Sequence, residues 1–154
     1  DRDTGYLRQS HLGQSYHMVG GSGLQWIHSG SLTSSVANQL VGSVPISGQV
    51  VAVILSTGLN TQSSDSADGL LCQALVNGNA LTSASATLTS THGSGFRSTD
   101  QGDGVAATLV TNGNENVSRG DLITIDLTYT ANGSVSQQPT HIAVLVVIRA
   151  DRPI

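Results

Sequence analysis

Between Ser47 and Arg149, short runs of Val, Ile, Leu and Thr alternate with turns written in Gly, Asn and Asp, and no run long enough for a helix intervenes. A chain patterned this way buries its apolar side chains by stacking extended strands in layers. The clearest units are QVVAVILST at 49–57, LLCQALV at 70–76 followed by Asn77-Gly78, DLITIDLTYT at 121–130 and HIAVLVVIR at 141–149. Each has strand length, β-branched enrichment and turn residues at its borders.

Two kinds of strand are expected. In LITIDLTY the residues Leu122, Thr124, Asp126 and Thr128 oppose Ile123, Ile125, Leu127 and Tyr129, so one face is apolar and the other looks to water or a partner. The runs at 49–57 and 141–149 are apolar on both faces, which predicts cover on both sides. LQWIHSGSL and VANQLVGSVPI add two strands, with Gly30 and Gly42 as kinks and Pro45 as a strand end. Asn-Gly at 77–78 supplies the positive φ angles of a tight turn, so LLCQALV and ALTSASATLTST pair as a hairpin. About eight strands fit two packed antiparallel sheets: an all-β, jelly-roll-like β-sandwich.

Residues 24–154 form this sandwich domain in the reading, and residues 1–23 differ from it. The first segment mixes Arg, His, Tyr and Gln without a period and ends in Gly20-Gly21-Ser22-Gly23, which reads as an extended N-terminal arm and a joint. Tyr6, Leu7, Arg8, Leu12, Tyr16 and Met18 are its candidate subunit-contact residues, since two of the three Tyr lie there and aromatics are enriched at contact surfaces. In the body, Phe96 stands beside Arg97 in a Gly/Ser loop where burial is difficult, so this pair is the other candidate contact. Trp26 falls in a strand and is expected in the core.

Composition removes several function classes. Only 10% of the residues are charged, the formal net charge is -4, and the basic residues are scattered Arg with no Lys. No cluster of cations faces phosphates, so nucleic acid is not an expected partner. The longest apolar stretch, 142–148, is far short of the ~20 residues of a spanning helix, so no membrane partner is expected either. The N-terminus lacks the basic start and apolar core of a signal peptide. The lone Cys72, inside an apolar run, reads as a small buried hydrophobe and fits folding in the cytoplasm.

No catalytic constellation is expected. The strained G-x-S-x-G turn of hydrolases is absent from the sequence, and the five His show neither an i, i+4 pair nor a Cys partner at zinc spacing. Asp65, Asp68, Asp100 and Asp103 lie in two Gly/Ser-rich loops, at 57–69 and 91–104, where oxygen ligands could converge on Ca²⁺. The second loop lacks the third alternate carboxylate and the bidentate Glu of a calcium loop, and Asp routinely caps turns through its own backbone. No cofactor or metal is therefore expected.

The stretch 44–149 resembles the decoration, or cement, proteins of tailed-bacteriophage capsids. The residues that carry the likeness are ISGQVVAVILS, Asn77-Gly78 after a strand, NGNENVSRGDLITIDLTYT, and the last strand IAVLVVIR. Their order repeats that group's pattern of a Gly-led strand, a V-N-G turn, an N-x-V-x-x-G-D turn entering a strand, and a terminal apolar strand. The resemblance implies a non-enzymatic homotrimer, made in the host cytoplasm, that sits on the outer surface of the virion and bridges neighbouring major capsid protein subunits. A receptor- or glycan-binding module of a phage fibre or tail, working through the loops at 57–69 and 91–104, is the alternative.

Overall fold

The computed structural model describes residues 8–9, 15–18, 21–99, 108–109 and 116–151. Regular structure among them is strand throughout, apart from one 3-10 turn at Ser90–His92. The strands are β1 (Arg8–Gln9), β2 (Ser15–Met18), β3 (Gly21–Ser31), β4 (Val36–Ser43), β5 (Gly48–Leu59), β6 (Gln62–Ser63), β7 (Gly69–Val76), β8 (Asn79–Thr89), β9 (Arg97–Ser98), β10 (Thr108–Leu109), β11 (Asn116–Val117), β12 (Leu122–Thr130), β13 (Val135–Gln137) and β14 (Thr140–Ala150).

Two antiparallel sheets carry the body. Sheet A runs β1-β2-β3-β14-β5, and β9, β10 and β11 follow one another down the far edge of β5 opposite Thr57, Val53 and Gln49. Sheet B runs β4-β12-β7-β8, and β6 pairs with β13 as a small ribbon. Taking β9–β11 as one interrupted strand, the eight main strands fill sheet A in the order first, eighth, third, sixth. Sheet B takes the second, seventh, fourth and fifth. The chain thus changes sheet at nearly every step, which is the double Greek key of a jelly roll. The expected fold class is the observed one.

The core is the space between the inner faces. Val53 and Leu55 of β5 and Ile142, Val144, Val146 and Ile148 of β14 meet Ile123, Ile125 and Leu127 of β12, with Leu70 and Cys72 of β7 beside them. All of these are at most 1% exposed, and full burial of each aliphatic side chain contributes roughly 1.5–3 kcal/mol. Trp26 packs at the margin of this cluster, stacked on the His28 ring at 6.0 Å. Cys72 is fully buried, and burial, followed by the charge of Asp126, pushes its thiol up to about 12, so it is chemically quiet. The turn joining β7 to β8 has φ of 49° at Asn77 and 84° at Gly78. Asn77 is more than a turn former, because its Oδ1 accepts the Leu122 N–H and its Nδ2 donates to Asp121, tying the hairpin to β12.

Two expectations change. Gly21-Ser22-Gly23 was expected as part of a joint, but these residues open β3, paired with Arg149, Ile148 and Val147. The glycine at 23 serves close packing, since a Cβ there would lie 2.9 Å from Leu145 Cδ1. The runs in β5 and β14 were expected to be covered on both faces. Their inner faces are buried, whereas Ile54, Ala143, Leu145 and Val147 on the outer face are only half-buried. The described chain supplies no third layer to cover them.

Candidate interaction surface

Phe96 is 79% exposed, the most exposed large apolar side chain among the described residues. Its loop is nevertheless tied down. The Arg97 guanidinium donates from Nε to the His92 carbonyl and from Nη1 to the Phe96 carbonyl. Asn60 Nδ2 donates to the carbonyls of Thr89 and Gly93 at 2.9 and 2.8 Å, and the Thr89 N–H donates to His92 Nδ1 at 2.9 Å. That last bond requires an unprotonated Nδ1 on His92. An aromatic ring held out on a pre-ordered loop loses little entropy when it docks, which is how an anchor residue works.

The ring borders a shallow hollow of about 350 Å³ lined by Gly58, Leu59, Phe96 and His141. Gly58 and His141 are outward positions of β5 and β14, alternating with the buried Thr57 and Ile142. Along the same outward rows come Ala143 opposite Ser56 and Ile27, then Leu145 opposite Ile54 and Gln25, then Val147 opposite Gly23 and Ala52. Ile27 is 58% exposed. The row ends in polar residues, where Arg149 donates to Gln49 Oε1 and Gln49 Nε2 to Asn116 Oδ1. The outer face of sheet A is therefore a continuous apolar strip with a hollow at one end and a polar clamp at the other.

The expected contact residues fall on strands at the two edges of sheet A, with Arg97 in register with the inward Thr57. Phe96 and Arg97 adjoin and begin β9, on the β5 side. Arg8 lies on β1, opposite His17, and Tyr16 and Met18 lie on β2, opposite Gly23 and Gly21, on the β3 side. Four strand steps separate β2 from β9, about 19 Å at ~4.8 Å per step. Tyr6, Leu7 and Leu12 fall outside the described residues, as do Asp100 and Asp103.

The acidic loop residues are fastenings. Asp65 Oδ1 accepts the Ala67 N–H at 2.9 Å, a cap on its own turn, as expected. Asp68 does something the sequence does not announce. Fully buried, it accepts the N–H groups of Asn132 and Gly133 and the Ser63 hydroxyl, at 2.8, 2.9 and 2.6 Å, and so staples two loops more than 60 residues apart. Asn132-Gly133 reads locally as a turn, and no local pattern names its partner. Hydrogen bonds, first from the Asn132 N–H and then from Ser63, hold the Asp68 carboxyl below the usual carboxylate value. Those from the Ser118 N–H and Asn77 lower that of Asp121.

A pH dependence follows from the sign of these shifts. Each depressed carboxylate contributes stability that is complete above the unfolded pKa of about 4 and is lost as pH falls through the folded value. The denaturant midpoint is expected to be level near neutrality and to fall below about pH 4, and Asp68→Asn should flatten part of that fall. An Asp68→Asn protein with the same pH slope as wild type would show that the staple is not ionic.

No known family and no curated protein matches this chain. Among solved structures it is similar to a family 35 carbohydrate binding module from Clostridium thermocellum. The likeness has 16% identity and a TM-score of 0.32, and covers 90% of this chain and 85% of that one. A superposition this loose carries no weight for function.

Proposed function

We propose that this chain is a capsid decoration protein of a tailed bacteriophage, a non-enzymatic homotrimer on the outer face of the head that bridges neighbouring major capsid subunits. The observation that supports the proposal is the apolar outer face of sheet A, only partly covered by the described residues, with the exposed Phe96 ring at one side. The quoted sequence likeness adds support, and its motifs have structural reasons here. In NVSRGD, Val117 is in the core cluster, Asp121 accepts the Ser118 N–H, and the Gly120 N–H donates to the Val44 carbonyl. A body with few charges can lie closely against other copies and a shell without burying unpaired ions, each of which costs several kcal/mol. Three shell contacts per trimer then multiply modest affinities through effective concentration.

The test is co-sedimentation of the purified protein with heads assembled from the major capsid protein encoded nearest to its gene, alongside a measured solution mass. A mass of three copies and saturable binding, weakened at least about tenfold by Phe96→Ala, are expected. A monomer that ignores heads but gives glycan-array hits abolished by Phe96→Ala would replace this reading with the receptor-binding one.

A further inference from the structure

We propose that His92 makes the Phe96 loop a pH-gated element: the loop is closed and presents its ring while the imidazole is neutral, and it opens when His92 takes a proton. The inference rests on the capsid reading only for its effect on shell binding.

The turn Thr89-Ser90-Thr91-His92 supplies the device. Turns of this kind commonly carry Glu or Gln three residues after a capping Ser or Thr, and that side chain accepts the N–H of the capping residue. Here His92 stands at that position, and its Nδ1 accepts the Thr89 N–H at 2.9 Å. Gln can accept at any pH and Glu above about pH 4, whereas an imidazole takes its proton between about pH 5 and 8. The incoming proton goes from solvent to Nδ1, because Nε2 already carries the other ring hydrogen, and both nitrogens are then donors. The Thr89 hydroxyl, 3.4 Å from Nδ1, can receive the new hydrogen, but the Thr89 N–H is left facing a donor.

His92 is distinct in this among the histidines whose side chains are described. His28 Nε2 lies 3.3 Å from the Ser31 carbonyl oxygen and His141 Nδ1 3.2 Å from the Thr140 hydroxyl, and a protonated ring can donate to either oxygen. Those contacts survive protonation. The bond to Thr89 does not, since a main-chain N–H only donates.

The same turn anchors the loop that carries Phe96. Asn60 holds the carbonyls of Thr89 and Gly93, and Arg97 Nε donates to that of His92. The Arg97 guanidinium also lies against Gly93, where an added Cβ would stand 2.8 Å from Nη2. A positive ring on His92 therefore gains a cationic neighbour on its own loop. Asp65 and Asp68 meet the turn through main-chain carbonyls, which accept the Ser90 hydroxyl at 2.8 Å and the Ser90 N–H at 2.9 Å. The Asp65 carboxylate accepts from Ala67, and that of Asp68 from Ser63, Asn132 and Gly133. From β14, His141 borders the hollow beside Phe96. Among the described residues no carboxylate is bonded to the His92 ring.

The experiment follows amide hydrogen exchange by NMR in full-length wild type, His92→Gln and His92→Leu, at about pH 7.5 and about pH 5.5. Asp68 and Asp121, held below the usual carboxylate value, stay ionised over this window. Protection at Thr89, taken relative to an unstructured chain at the same pH, is expected to fall at least about tenfold in wild type at the lower pH. His92→Gln should keep its protection at both values and His92→Leu should lack it at both, with the amides of β12 protected throughout. Wild-type protection that is the same at both pH values, or that falls equally in His92→Gln, would overturn the gate. On heads, wild type should bind more weakly at the lower pH and His92→Gln should not. A pH-independent wild-type affinity would overturn the gate's effect on binding, whereas a wild type that shows the exchange transition but binds no head would support the gate and overturn the function.

Discussion

Gly48→Ala should lower stability by about 3 kcal/mol or more and leave much of the protein unfolded in mild denaturant. A Cβ at this position would lie 2.0 Å from the Arg149 carbonyl oxygen, 2.8 Å from its carbon and 3.0 Å from Ala150 Cα. All three atoms are backbone of β14, which is hydrogen-bonded on its other side to β3, so they have nowhere to retreat. Gly48 itself is held between Ala150 on one side and Val117 on the other. Gly78→Ala is the control: it has φ of 84° but no atom within 4 Å of an added Cβ, so it carries backbone strain alone, about 1 kcal/mol. Urea denaturation of the two variants separates close approach from strain. If Gly48→Ala melts with wild type, the strand-leading glycine has no packing role, and the motif ISGQ loses its physical reason.

How far the fold could be read from residues depended on how local each cause was. The alternation in β12 is local, and Ile123, Ile125 and Leu127 are buried as their period requires. The Asn77-Gly78 turn is local too, and it joins β7 to β8 as expected. The jelly-roll strand order is not local: β5 and β14 are partners across about ninety residues, and nothing in QVVAVILST names HIAVLVVIR as its neighbour. The outer faces of those two strands are less covered by the described residues than their apolar runs suggest, because an apolar face is written the same way in sequence whatever packs on it. The joint expected at Gly21-Ser22-Gly23 is a strand start for a related reason, because glycine that permits a close approach to Leu145 is written with the same letter as glycine that permits a bend. Phe96 was legible as an exposed ring because nothing around it has a strand period. The Arg97 and Asn60 bonds that hold its loop were not, since they reach back over the loop or across from β5's end.

Leu127→Ala should cost about 3–4 kcal/mol, while Thr128→Ala, one residue on, should stay within about 0.5 kcal/mol of wild type. Leu127 is 0% exposed in β12, one of the two inner strands of sheet B, opposite Cys72 on β7 and Val36 on β4. Both flanking ladders fix the backbone around it, so the cavity left by truncation cannot close cheaply, and the cost lies well above that of transfer alone. Thr128 points to the other face and is exposed. Equilibrium denaturation of the pair measures the sidedness of β12 directly, and equal costs would reverse the assignment of core and surface. The same two-sidedness separates folding from binding. On the proposed function Leu127→Ala should reduce the folded fraction while each folded molecule keeps the wild-type affinity for heads. On that reading Phe96→Ala should do the reverse, keeping the melting curve and losing affinity, because its ring is 79% exposed and adds little to the packing of the subunit itself.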